Sequence, residues 1–433
     1  MTFLPIILGI IALILLVTVV KLDAFISFML VCLFVGLMGG LSVTDTISAI
    51  QSGIGKTLGS LVMVLGFGAM LGKLVAESGA ANNITNSLVE KFGRKNIQIA
   101  LIVTGFIVGI PMFYTVGFVI LVPLVIAIAA NTGLPLLYVG LPMLASLSVT
   151  HGFLPPHPAP TAIAEMYSAD IGLTLIYGII AGIPAIFAAK FFLRGTMQRI
   201  KPVPLEEYVV ETNNEYKVPS LATSLVIALL PVVLIGGASL LKSVTGPNVI
   251  LEALGNPALA MLLAVLSAIY FLGVKTGRDI KAVMKVISSA VSGVAGVLLI
   301  IAGAGAFKEI MIATEVSYAI GNLMGSMGMN PLLMAWLIAA VIRVSVGSAT
   351  VSALTAAGIM VPTAAAGVVS PELLVLATGA GSITFSHIND GGFWLYKEYF
   401  NVSIKETLLS WTLMETTVSI VGLITVLILD FFV

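Results

Sequence analysis

The chain has 433 residues, 59% hydrophobic and 9% charged, with a mean hydropathy of +1.15, whereas a soluble domain carries roughly 25% charged residues. Lys and Arg balance Asp and Glu at 20 each, so no large basic face is available for a nucleic-acid partner. Its one cysteine, Cys32, lies in an apolar run, which excludes an intrachain disulfide and gives it a packing role.

These values describe an integral membrane protein, and its long apolar runs mark helices rather than the ten-residue alternation of a membrane barrel. In chain order, spans are expected near 3–20, 24–41 and 57–77. A polar segment, an apolar stretch at 97–130, an interrupted span and a span near 172–193 follow. The first span starts without a basic flank or a small-residue cleavage site, so it reads as retained rather than as a signal peptide. The longest polar segment, 194–220, is too short to build a soluble core. The second half gives spans near 221–241, 253–273 and 287–307, a Gly-rich segment, an apolar stretch at 331–367, a second interrupted span and a span near 409–430.

The order of parts is the same in both halves. Gly66-Phe-Gly-Ala69 aligns with Gly303-Ala-Gly-Ala306, the stretch 109–123 with 348–362, and Ser148-Val-Thr150 with Ser382-Ile-Thr384. The expected architecture is an all-α polytopic membrane protein with about ten full spans, or roughly 12–14 if hairpin arms count. Residues 1–193 form a first inverted repeat (hairpin 97–130, broken helix 136–168), 194–220 a cytoplasmic linker, and 221–433 a second inverted repeat (hairpin 331–367, broken helix 372–396).

The interruptions carry the function. Thr150-His-Gly-Phe-Leu-Pro-Pro-His-Pro-Ala-Pro-Thr161 cannot be a continuous helix, because each proline removes a donor and clashes with the preceding turn. Within lipid such backbone survives only where protein or a water-filled cavity surrounds it. Ser382-Ile-Thr-Phe-Ser-His-Ile-Asn-Asp-Gly-Gly-Phe393 is its counterpart. Paired broken helices point to a transporter's binding site. The uncharged stretch 97–130 breaks at Gly109-Ile-Pro111 into arms too short to cross comfortably, so it reads as a re-entrant hairpin, matched by a second with its tip at Arg343-Val-Ser-Val-Gly-Ser-Ala-Thr350.

Five crossings per half invert the repeats. Lys91, Arg94, Lys95, Arg194, Arg199, Lys201, Lys275 and Arg278 then fall on one side, with little beyond Lys56, Lys242 and Lys308 on the other. The positive-inside rule makes the rich side cytoplasmic and places both termini outside.

Half-helix N-termini offer free N–H groups and positive dipole ends to an anion. The substrate-binding candidates at the interruptions are Thr115, Ser148, Thr150, His157, Thr161, Arg343, Ser348, Thr350, Ser382, Thr384 and Asn389. A hydroxyl-rich set with few charges fits a polyhydroxylated monocarboxylate better than a phosphate ester. Arg343 is placed either to meet a substrate carboxylate or to form a structural ion pair. The candidates for proton coupling are Asp390, with ion-ligand and helix-cap roles open beside it, and the histidines His151, His157 and His387, the side chains that titrate near neutrality. Glu77, Glu309 and Glu315 read as solvated helix ends. No metal site is expected, since no cysteine or acid stands at ligand spacing around the histidines, and no phosphate-binding loop, catalytic triad or cofactor motif is visible.

Val149–Thr161 with Gly109-Ile-Pro-Met-Phe-Tyr114, and Ser382–Trp394, resemble the bacterial gluconate permease (GntP) family of the ion transporter superfamily. The resemblance covers the whole chain and implies an inner-membrane secondary transporter, not an enzyme, that imports gluconate or a related sugar acid with protons, often as a homodimer. One bundle carrying the hairpin tips and broken helices would move against a scaffold of the other spans. The alternatives are a sodium/proton antiporter of the same architecture, a symporter for another small hydroxy or amino acid such as glycerate or D-serine, and a channel.

Overall fold

The computed structural model describes residues 4–200, 202, 216–246, 248–314, 329–388 and 390–433. In the first half the helices are α1 (Leu4–Thr18), α2 (Ala24–Met38), α3 (Val43–Glu77), α4 (Ala80–Phe92), α5 (Ile97–Gly109), α6 (Tyr114–Thr132), α7 (Leu136–Phe153), α8 (Pro158–Tyr167), α9 (Ile171–Phe192) and the short α10 (Arg194–Arg199). In the second half they are α11 (Leu221–Thr245), α12 (Val249–Gly255), α13 (Pro257–Ala268), α14 (Ile280–Ala313), α15 (Pro331–Val346), α16 (Ala349–Ala365), α17 (Pro371–Ile383), α18 (Gly391–Tyr399), α19 (Ile404–Thr407) and α20 (Leu413–Leu429). A π-helical turn, Leu408–Thr412, joins α19 to α20, and another, Ile269–Gly273, extends α13. No strand occurs among the described residues. The chain is an all-α polytopic membrane protein.

Local signals set the boundaries. Asp23 caps α2 by accepting from Phe25 N at 2.9 Å, Ser42 caps α3 through Asp45 N at 3.1 Å, and Ser403 and Glu406 form a reciprocal capping box at α19. Two elements outrun the apolar runs that marked them. α3 starts at Val43 rather than near 57, and α14 spans Ile280–Ala313 rather than 287–307, because hydroxyls, Asp45 and Lys281 are all compatible with a helix whose end leaves the apolar layer. α3 bends by 46° between Val43–Gly59 and Leu61–Glu77.

By length and composition, six helical stretches among the described residues can cross a membrane, and the two limbs of α3 make a seventh. α1 and α2, with 15 residues each, are shorter than the roughly 20 a perpendicular crossing needs. Length alone therefore does not reach the expected ten.

The packing pairs the halves. α3 lies along α14 at a closest approach where a Cβ added to Gly53 would stand 2.4 Å from the Gly305 carbonyl oxygen, so the contact admits no larger side chain there. Within the first half α5 and α9 pack on α7; within the second, α15 and α20 pack on α17. Across the halves α9 meets α20 and α7 meets α17. The last pair crosses at Gly152 and Gly379, where a Cβ on Gly379 would lie 2.1 Å from the Gly152 carbonyl oxygen. The two interrupted helices thus touch close to where each ends.

Candidate substrate site

The first interruption, Leu154 to His157, separates α7 from α8 and is buried throughout. Protein encloses it, as non-helical backbone at membrane depth requires. His157 Nε2 donates to the Gly109 carbonyl at 2.7 Å, fastening the break to the tip of the α5–α6 hairpin. The second interruption, Thr384 to Asp390, separates α17 from α18. His387 Nε2 lies 3.0 Å from the Val344 carbonyl, so here too a histidine ties the break to a hairpin, α15–α16.

Arg343, in the last turn of α15 and 4% exposed, strengthens that second connection. It donates to the Gly347 carbonyl and forms an ion pair with Asp390. Asp390 also accepts from the Ser386 hydroxyl and, at 2.9 Å, from Gly392 N, which makes it the N-cap of α18. Ser386 in turn accepts from Trp411 Nε1 at 2.8 Å, and its carbonyl takes the Thr412 hydroxyl. The ion-pair and helix-cap readings of the sequence both describe contacts that Arg343 and Asp390 make.

Between the four breaks lies a cavity of about 570 Å³, within the range of roughly 300–1,000 Å³ usual for small-molecule sites. Its wall takes Thr115, Ser148, His151, Arg343, Ser348, Thr350 and Asp390 from the expected set. N-terminal residues of four helices reach it: Tyr114 and Thr115 of α6, Pro158 of α8, Ala349 and Thr350 of α16, and Gly391 and Gly392 of α18. The N-caps of α6 and α8, Phe113 and His157, make no side-chain capping bond. The positive dipole ends of α6, α8 and α16, none of them met by a charged cap, favour an anion there, while that of α18 already meets Asp390.

Several expected residues do not line this cavity. The Thr150 hydroxyl donates to Leu147 O at 2.8 Å and Ser382 to Gly379 O at 2.8 Å, each satisfied by its own helix. Thr161 and Thr384 are buried away from it, His157 is committed to Gly109, and His387 lies off the wall. Asn389, Lys201 and Glu315 fall outside the described residues. Glu309, expected to be a solvated helix end, pairs with Lys56 at 2.7 Å and so bridges α14 to α3. Among the described residues no group of three or more His, Cys, Asp or Glu is arranged to hold a metal ion.

Three wall residues with polar side chains were not among the expected site residues: Tyr114, Trp411 and Glu415. Glu415 is 3% exposed and accepts from the Ser148 hydroxyl, joining α20 to α7. The signal was present, since an acid inside an apolar span is a functional candidate by default.

The GntP family permease model matches residues 1–432. Among curated proteins the chain is 47% identical over 427 residues to the high-affinity gluconate transporter of Escherichia coli K12, covering 98% of each. It is 45% identical to the Gnt-II system L-idonate transporter of the same strain, covering 98% of this chain and 97% of that one. With the gluconate permease of Bacillus subtilis 168 it shares 42% identity, covering 98% of each. Of solved structures, the YdaH transporter of Alcanivorax borkumensis superposes with a TM-score of 0.69 at 16% identity, covering 94% of this chain and 98% of that one. MtrF of Neisseria gonorrhoeae gives 0.66 at 15%, covering 94% of each; at such identities the likeness concerns the fold. A permease, and not an enzyme, is what these whole-length matches describe: the chain belongs to the GntP family of permeases.

Proposed function

We propose that this permease imports gluconate or a closely related sugar acid together with protons, exposing one site to each side of the bacterial inner membrane in turn. The observation that carries the reading is the convergence of four helix N-termini on one hydroxyl-bearing cavity. Dipole ends suit the carboxylate, while Thr115, Ser148, Ser348 and Thr350 suit the hydroxyls of a sugar-acid chain. Relatives named for gluconate and L-idonate, matched along their whole lengths, support the same substrate class. The sodium/proton antiporter alternative is weakened by Arg343, which already neutralises Asp390.

Two inverted repeats, 1–193 and 221–433, joined by a cytoplasmic segment at 194–220 and with both termini periplasmic, complete the proposal. The matched order of helices, the short hairpin arms α5 and α15, and the cross-half pairs α3–α14 and α7–α17 support it. In this mechanism the hairpins and broken helices, tied by His157, His387 and the Arg343–Asp390 pair, move as units against the α3–α14 scaffold. A homodimer is part of the family expectation.

Purified protein in proteoliposomes, given labelled gluconate under an imposed pH gradient or an imposed sodium gradient, tests the reading. Uphill accumulation under the pH gradient alone is expected. Accumulation under sodium alone, or none under either, would remove proton symport. Competition by idonate, ketogluconates, glycerate and D-serine ranks the substrates.

A further inference from the structure

We propose that Glu415 is the group that takes up and releases the coupling proton, with the Ser148 hydroxyl following its state. This rests on the reading of the chain as a proton-coupled importer of an anion. Glu415 sits 12 positions after Ser403, the cap of a helical stretch that continues through the π turn into α20. Its carboxyl group is buried, on the cavity wall, and its hydrogen-bond partner is the Ser148 hydroxyl. No Lys, Arg or His lies within ion-pair distance of it among the described residues. A buried carboxyl without a cation is a group whose charge is costly and whose proton is therefore consequential.

Three of the other candidates, Asp390, His157 and His387, are already committed; His151, on the wall with no hydrogen bond to its Nδ1, is the remaining rival. Asp390 is held by Arg343, Ser386 and Gly392 N, so protonating it would break the pair that fixes the second interruption. His157 bonds to Gly109 and His387 to Val344, both off the cavity wall. The titratable groups facing Glu415 across the cavity are His151 on α7, Tyr114 on α6, Arg343 on α15 and Asp390 at the start of α18. α9 and α17 also pack on α20 but put no titratable side chain on that wall.

Coupling follows from charge. An anionic substrate entering the cavity meets the Glu415 carboxylate on its wall, and like charges repel. Binding of the anion therefore favours protonation of Glu415, and protonation favours binding to the same degree, because linkage is reciprocal. The proton leaves water on the entry side and bonds to a carboxylate oxygen; Ser148, previously a donor to that carboxylate, can then accept. On the exit side the O–H bond breaks, the proton returns to water, and the re-formed carboxylate helps expel the anion.

The test compares the wild-type protein with Glu415→Gln in proteoliposomes, using radiolabelled gluconate. The amide stands in for the protonated carboxyl, so exchange of labelled for unlabelled gluconate across the membrane should persist. Accumulation driven by a pH gradient should fall by about tenfold or more, the scale of a typical coupling energy. Accumulation by E415Q at the wild-type level would overturn the assignment. So would loss of exchange by a folded, monodisperse E415Q protein, which would make Glu415 a substrate ligand. If E415Q fails to fold, Ser148→Ala decides instead: the midpoint of the pH profile of uptake should move, and an unmoved midpoint overturns the proposal. Failure of the wild-type protein to respond to a pH gradient would sink the symport reading itself, whereas a responsive wild type matched by E415Q sinks only the role of Glu415.

Discussion

Arg343 and Asp390, 47 residues apart in sequence, form an ion pair, buried on the Arg343 side and partly exposed on the Asp390 side, that joins the tip of the α15–α16 hairpin to the second helix interruption. The guanidinium also holds the Gly347 carbonyl, and the carboxylate also caps α18, so one pair organises a hairpin tip, a helix interruption and the helix start that follows it.

Removing one partner strands the other. Asp390→Asn should cost about 3–5 kcal/mol by leaving Arg343 buried without a counter-charge, seen as a marked fall in the thermal unfolding temperature of the purified protein. The double variant Arg343→Gln with Asp390→Asn should recover most of that loss. Equal stability of the single and double variants would show that the pair is not what holds the interruption.

His157 acts on backbone. His157→Ala removes one of two donors to the Gly109 carbonyl, which keeps Met112 N at 3.2 Å, a cost of about 0.5–1.5 kcal/mol. Because His157 is off the cavity wall, the maximal rate of gluconate uptake should drop while apparent affinity stays near that of the wild type. A drop confined to affinity would instead put the imidazole against the substrate.

The crossing of α7 and α17 leaves no room for a methyl group. Gly379→Ala would push a Cβ against the Gly152 carbonyl, at 2.1 Å before relaxation, and overpacking of this kind costs about 1–3 kcal/mol. Gly237→Ala on α11, where an added Cβ meets nothing within 4 Å, is the matched control and should be tolerated. Size-exclusion profiles and melting temperatures of the two variants check the contrast.

Thr350 offers the cavity a hydroxyl at the start of α16. Thr350→Val keeps its shape and removes that group, so apparent affinity for gluconate should weaken by about two- to tenfold, the worth of one hydrogen bond. An unchanged concentration dependence of uptake would exclude Thr350 from contact with substrate.

The Lys56–Glu309 pair spans α3 and α14, but the lysine side chain is 67% exposed. Solvent screening limits such a pair to about 0–1 kcal/mol. Lys56→Gln should therefore leave the melting temperature within a degree or two of the wild type, in contrast to Asp390→Asn.

The residue types along the chain decided a good deal by themselves. The scarcity of charge made the protein a membrane bundle, and Pro155, Pro156 and Pro158 made a continuous helix impossible at the first interruption, since proline's missing N–H and fixed φ act locally. The helix breaks at Gly109-Ile-Pro111, again through proline, and at Gly347-Ser348, through a glycine at φ 81°, were legible too, as was the family, because a rare string of prolines and histidines is a local signature. What folding alone decided is which side chains face one another. Thr150 and Ser382 looked equivalent to Ser148, yet their hydroxyls turn back to their own helices, whereas Ser148 reaches Glu415, 267 residues away. Helical periodicity tells which residues share a face, but not what that face meets; that depends on crossings such as Gly152 on Gly379. Glu415 became a wall residue of the cavity only once α7, α17 and α20 had packed together.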